Sequence, residues 1–142
     1  MSAASNKQVM QQAFAELAQG NGKPFVDCMA EDFSWSIIGT SPWSGTFNGK
    51  KTVQDKLLRP LFAQFATRYT NTALRFIAED DYVVVECRGN VLTHSGKPYN
   101  NEYCYVIRFV DGQMRELIEY CNTELLLTTL PPPNGVVVAT DA

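Results

Sequence analysis

The sequence predicts an α+β domain whose helices gather on one face of an antiparallel sheet. Three observations predict it. Apolar residues recur at helical spacing through the first half of the chain. From about Thr70 to Leu126 four runs of β-branched and aromatic residues follow. Short polar turns at Glu79-Asp80-Asp81, His94-Ser95-Gly96-Lys97 and Asp111-Gly112 separate those runs. The chain has 142 residues and 45% apolar content. That is enough for one core that buries roughly two thirds of the unfolded surface.

Ser5-Asn6-Lys7-Gln8 reads as a capping box, and Val9, Met10, Ala13, Phe14 and Leu17 continue it as a first helix that stops at Gly20-Asn21-Gly22. Pro24 suits a first helical position, so PFVDCMAE is expected to form a short second helix. Phe33, Trp35 and Ile37 alternate along one face of a strand from Phe33 to Ile38. GTSPWSGTFNG reads as a loop with Trp43 at its middle. Val53, Leu57, Leu58, Leu61, Phe62 and Phe65 make a third helix stripe, which Pro60 should kink or divide because it lacks a donor. The domain is expected to span residues 1–127. A Pro-led tail, residues 128–142, carries Val136, Val137 and Val138 as a candidate edge strand.

Charged residues make up 19% of the chain and the net charge is -3, so no basic patch offers nucleic acid or an anionic membrane a grip. No stretch approaches the length of a membrane span, and no basic segment leads into an apolar run at the N-terminus. A cytoplasmic location is expected. Cys28, Cys87, Cys104 and Cys121 stand apart, without CxxC pairs or a histidine at metal-ligand spacing, and read as reduced core thiols. GTFNGKKT lacks the phosphate-loop spacing. His94, the sole histidine, falls in a turn. Neither a metal nor a cofactor is expected.

Candidate site residues follow from strand pairing. With His94 to Lys97 as a four-residue turn, Asn90 faces Asn101, Arg88 faces Tyr103 and Glu86 faces Tyr105 on one polar side of the sheet. Val83, Val85, Cys87 and Val91 fill the opposite side, which a second copy of the chain is expected to cover. The Asp111-Gly112 hairpin is a fork. A two-residue turn brings Tyr120 and Ile118 to Arg88, whereas a three-residue turn with a glycine bulge brings Leu117, Glu119 and Cys121. The second is favoured because a buried guanidinium needs a countercharge, although Glu86 is an alternative partner. The expected constellation is therefore Glu119, Arg88 and Tyr103 as catalytic groups. Glu86, Asn90, Asn101, Leu117, Cys121, Trp35, Ile37 and Trp43 are the expected substrate contacts. Arg88 with a carboxylate also reads as a plain register-fixing ion pair, and Tyr103 and Tyr105 as core aromatics.

The succession of helix, short helix, strand, PWSGTFNGKKTV and GKPYNNEYCYVIRFVDGQMRELIEYCNTEL resembles the NTF2-like superfamily, in particular its ketosteroid isomerase-like and SnoaL-like polyketide cyclase branch. The likeness covers residues 5–127. It implies a cone, with a curved antiparallel sheet wrapped around three helices and an internal pocket, in a homodimer. It also implies an acid of the last strand pointing inward, where Glu119 stands. Arg88 and Glu119 match part of the limonene epoxide hydrolase pattern, but Asn90 replaces its second carboxylate. Asn122 stands where SnoaL-like endings often carry Asp. Two functions follow as expectations. One is a cofactor-independent acid-base enzyme (isomerase, cyclase, dehydratase or hydrolase) acting on a small hydrophobic molecule. The other is a non-catalytic module that binds such a molecule.

Overall fold

A computed structural model describes residues 2–133; the Val136 to Val138 segment lies outside them. Helix α1 (Ala3–Leu17) begins earlier than the SNKQ pattern suggests. Ser2 is the N-cap, and Ser2 and Ser5 exchange hydroxyl-to-backbone hydrogen bonds at 3.0 and 3.1 Å. Ser5 thus fills the third helical position of the box rather than its cap. Helix α2 (Lys23–Asp27) is shorter than PFVDCMAE. Met29 already pairs with Met114, so the chain leaves the helix to join strand β1 (Met29–Ile37).

The Gly- and Ser-rich segment holds a strand that composition hides. β2 (Gly45–Asn48) runs antiparallel to β1, setting Trp35 opposite Phe47. The third helical segment comes in three parts, α3 (Lys50–Thr52), a π-helical stretch Val53–Leu58, and α4 (Arg59–Phe62). Pro60 explains the division. It has no N–H to return to the preceding turn, and the Arg59 N–H reaches back five residues to the Gln54 carbonyl.

Strands β3 (Thr70–Glu79), β4 (Tyr82–Asn90), β5 (Glu102–Val110) and β6 (Gln113–Cys121) form the expected meander. The six-stranded sheet has the order β2-β1-β6-β5-β4-β3, and it curves without closing. One pairing departs from an all-antiparallel sheet, because β1 lies parallel to β6. A last helix, α5 (Thr123–Thr129), is capped by the Asn122 side chain, which accepts from Leu125 N at 3.1 Å. It crosses the expected boundary at residue 127, and Leu130 beyond it is buried.

Register decides which residues look inward. Thr93 N donates to Lys97 O at 3.0 Å and Gly96 N to Thr93 O at 2.9 Å, so the turn holds three residues, with Gly96 at φ 86°. Leu92 pairs with Pro98, and beyond them Arg88 faces Glu102 while Cys87 faces Tyr103. This is one residue away from the expected pairing, and a one-residue slip reverses faces. Val83, Val85, Cys87 and Val91 therefore form the core under the chain's own helices, not a face for a second copy.

The last hairpin reaches the bulged register by another route. Asp111 (φ 52°) and Gly112 (φ 78°) form a two-residue turn between Val110 and Gln113. The extra residue enters later, where the pairing shifts between Phe109↔Met114 and Arg108↔Glu116, and it leaves Tyr105 opposite Glu119.

Candidate functional site

A cavity of about 670 Å³ opens between the concave face of the sheet and the helices. The sheet contributes Trp35, Ile37, Tyr103, Tyr105 and Glu119; the π-helical stretch and α4 contribute Leu57, Leu58, Leu61 and Phe62. Tyr69, Asn71 and Tyr99 line it from the β3 side, and Leu126 and Leu130 from the α5 side. Lys23, Asp27 and Arg59 also border it and are exposed, but each cation is already paired, Lys23 with Asp27 at 2.7 Å and Arg59 with Asp55 at 2.8 Å.

Trp43 borders the cavity and is buried. Its Nε1 donates to Pro131 O at 2.9 Å, holding the chain after α5 against the β1–β2 loop. That loop is ordered by its serines, since Ser44 Oγ donates to Ile38 O at 2.9 Å and accepts from Ser41 N at 3.1 Å. The SPWSG composition that signals a loop thus supplies the hydrogen bonds that fix the indole in place.

Glu119 is the one carboxylate on the sheet wall of this cavity, and it is only 5% exposed. The Trp35 indole donates to its Oε1 at 3.1 Å across the parallel β1–β6 pairing. None of the ion pairs among the described residues includes it. Burial raises its pKa from 4.5 to about 7, against the opposing hydrogen bonds from Trp35 and Cys121. Burial likewise pushes the Cys121 thiol up to about 12, helped by the Glu119 charge, and keeps it a donor to that carboxylate.

Four phenols line the same cavity. Tyr69, Tyr99, Tyr103 and Tyr105 are all raised above the ordinary tyrosine value, first by burial, and the Glu119 charge adds to each. They remain protonated and able to donate. The Tyr103 and Tyr105 rings lie 5.3 Å apart, and Tyr105 meets Trp35 edge-on at 5.8 Å. A half-neutral carboxyl and neutral phenols on an aromatic wall can exchange a proton with a bound molecule and hydrogen-bond its oxygen atoms.

Several residues expected here are elsewhere. Glu86, Arg88 and Asn90 point to the outer face, where Glu86 pairs with Arg75 and Arg88 with Glu102 at 3.7 Å. The cause is the three-residue turn. Asn101 is fully buried and structural. Its Nδ2 donates to Tyr99 OH and Asn122 O, and its Oδ1 accepts from Glu102 N and Asn122 N. Leu117 lies in the core on the same inner face without bordering the cavity, and Cys121 touches Glu119 without bordering it either. Asn90 is therefore not a vacated acid of the pocket, and Asn122 serves as a helix cap.

Sequence reasoning missed Tyr69, Asn71 and Tyr99. The alternation of Asn71 and Ala73 in YTNTA is the signal for an inward Asn71, though a polar run conceals it. His94 is exposed in its turn, and the four cysteines are unpaired. Among the described residues no helix is long and apolar enough to cross a membrane, and no three His, Cys, Asp or Glu side chains are grouped to hold a metal.

The family model of the SnoaL-like domain matches residues 10–117. The chain belongs to the SnoaL-like domain family. Within the wider NTF2-like superfamily, it is similar in fold to an NTF2-like protein from Burkholderia thailandensis E264. That likeness has a TM-score of 0.75 and 17% identity, covering 90% of this chain and 97% of the other. A putative SnoaL-like polyketide cyclase from Jannaschia sp. CCS1 superposes with a TM-score of 0.74 at 17% identity, over 92% and 94% of the two chains. TerC, solved in co-crystals with polyporic acid, gives 0.72 at 17% identity over 86% and 95%. At these identities the likeness is one of fold. No curated protein matches the chain. The SnoaL-like match ends two residues before Glu119, so the candidate acid rests on the geometry of β6 rather than on the family.

Proposed function

We propose that the chain is an acid-base enzyme in which Glu119 moves a proton at a carbon beside a carbonyl of a small, planar, mostly apolar molecule. The observation that carries this reading is a buried, unpaired carboxyl with a pKa of about 7 on the wall of an aromatic cavity. An acid tuned to the working pH serves both as base and as acid, and unpaired burial is how proteins reach that value.

Ionised Glu119 takes the proton. The C–H bond breaks, its electron pair becomes the C=C bond of an enolate, and the carbonyl π pair moves onto oxygen. Neutral tyrosine hydroxyls of the wall donate to that oxygen. In an isomerisation the substrate is a β,γ-unsaturated carbonyl compound, the enolate is conjugated with its C=C bond, and the proton returns from Glu119 to the γ-carbon as that double bond shifts into conjugation. The proton goes to a leaving hydroxide in a dehydration, or to a second carbonyl oxygen that the enolate carbon attacks in a cyclisation. The neighbouring fold of a putative polyketide cyclase supports this class of substrate, as does a neighbour crystallised with polyporic acid. Arg88 has no part in the step, since it lies on the other side of the sheet.

The test needs no natural substrate. In D2O the protein is expected to accelerate deuterium uptake at the α-carbon of cyclic aromatic ketones such as 2-tetralone, followed by NMR. Glu119→Gln is expected to lower that rate by about 10³. Ketones that bind while exchanging no faster than in buffer would leave the non-catalytic binding module as the surviving account.

A further inference from the structure

Glu119 keeps one carboxyl oxygen for a guest. Trp35 Nε1 donates to Oε1 at 3.1 Å, which fixes the carboxyl plane, and no N–H or O–H among the described residues donates to Oε2. The side-chain oxygens that are both enclosed and without a partner among those residues are Asn6 Oδ1 and Asn71 Oδ1. Glu119 Oε2 is not one of them, so it keeps its contact with the cavity that Glu119 lines.

The surroundings of that oxygen are aromatic. Phe25, Trp35, Tyr103 and Tyr105 line the cavity as one cluster. Ring centroids are 6.1 Å apart for Phe25 and Trp35, 5.8 Å for Trp35 and Tyr105, and 5.3 Å for Tyr103 and Tyr105. Glu119 belongs to this cluster, because Trp35 is its donor and Tyr105 its cross-strand partner. Aromatic faces attract a cation, and a buried carboxylate without a countercharge attracts it more strongly. The chain supplies no such charge. Lys23 and Arg59, the cations at the border, are exposed and held by Asp27 and Asp55. A metal ion would find one carboxylate oxygen and no grouped acids, too few hard ligands to replace its water. An organic ammonium needs only the one anion and the rings.

We infer that the cavity is a binding site for protonated arylalkyl amines, with the ammonium group against Glu119 Oε2 and the aryl end against Leu57, Leu58 and Leu61 of the helical wall. An amine held there occupies the acid that carbonyl chemistry needs, so the two classes of ligand exclude each other. The inference rests on Glu119 facing the cavity, not on its moving a proton. Binding requires the ionised acid, so it strengthens as pH rises through 7. The other titratable groups around the acid keep their protons there. Cys121 on β6, Tyr103 and Tyr105 on β5, Cys87 on β4, and Tyr69 and Tyr99 are all raised, chiefly by burial. The border charges Lys23, Asp27 and Arg59 are exposed and screened.

The experiment compares 3-phenylpropylamine with 3-phenylpropan-1-ol by isothermal titration calorimetry. The alcohol replaces the ammonium by a neutral hydroxyl, and the amine stays charged from about pH 5.5 to about pH 8. Wild-type protein is expected to favour the amine by about ten-fold at the upper pH. Its amine affinity is expected to fall roughly thirty-fold toward the lower pH, as Glu119 gains its proton, while the alcohol changes little. Glu119→Gln is expected to remove both the preference and the pH dependence. Should that variant fail to fold, the wild-type profile decides by itself. Equal affinities, an alcohol preference, an amine affinity that is flat with pH, or a preference that survives in folded Glu119→Gln each overturns the inference. So does binding of neither compound. Ketone exchange without an amine preference leaves the enzyme reading and removes this one; an amine preference without exchange does the reverse.

Discussion

The two faces of strands β4 to β6 carry the same residue types under opposite electrostatics. On the outer face, carboxylates meet cations in water. Glu86 pairs with Arg75, Glu102 with Arg88 at 3.7 Å, and Glu116 with Arg108 at 3.3 Å, all at least partly exposed. The inner face holds Glu119, buried against Trp35 and the tyrosines and without any cation. Solvent screens the outer pairs until each is worth little. Burial does the reverse for Glu119, and its pKa rises to about 7. Charge alone therefore marks no site in this sheet; a charge without a partner in a dry wall does.

The largest effect expected from this contrast is on stability against pH. Glu119 titrates near 4.5 when unfolded and near 7 in the fold, so between those values the folded chain holds a proton that the unfolded chain has released. The raised value costs nothing below about pH 4.5, lowers stability as pH climbs through this window, and reaches its full effect above pH 7. That effect is roughly 3 kcal/mol. Chemical denaturation across this range should show the decline in the wild type. Glu119→Gln should lack that component and be the more stable protein at pH 8.

The smallest effect belongs to the outer face. Arg88→Ala is expected to change unfolding free energy by no more than about 0.5 kcal/mol, because its partner Glu102 stays solvated when left alone. It should leave ketone exchange unaltered. A large loss of exchange in this variant would erase the distinction between the two faces.

Much of the fold was legible because periodicity is local. Met10, Ala13, Phe14 and Leu17 lie on one buried helix face, and the four strand runs fall close to where composition puts them. What failed was counted in single residues. Thr93 closes its turn one residue earlier than a His94 to Lys97 turn allows, and this moves Glu86, Arg88 and Asn90 to the solvent side. The inward setting of Glu119 follows from a bulge three residues beyond the glycine that suggested one. Neither position carries a residue type that announces it. The parallel β1–β6 contact and the Trp43 to Pro131 hydrogen bond join segments more than 80 residues apart, beyond the reach of any pattern within a window. Asn71 stayed hidden because an inward polar residue at a strand start looks like a turn residue until the cavity beside it is seen.

The unpaired acid in the inner wall is tested most directly by a carbon-13 NMR titration of protein labelled at the glutamate carboxyl carbons, comparing the wild type with Glu119→Gln. One wild-type resonance is expected to titrate near pH 7 and to be missing from the variant. Glutamates that all titrate together near the ordinary value of about 4.3, with no resonance lost from the higher range, would contradict the account.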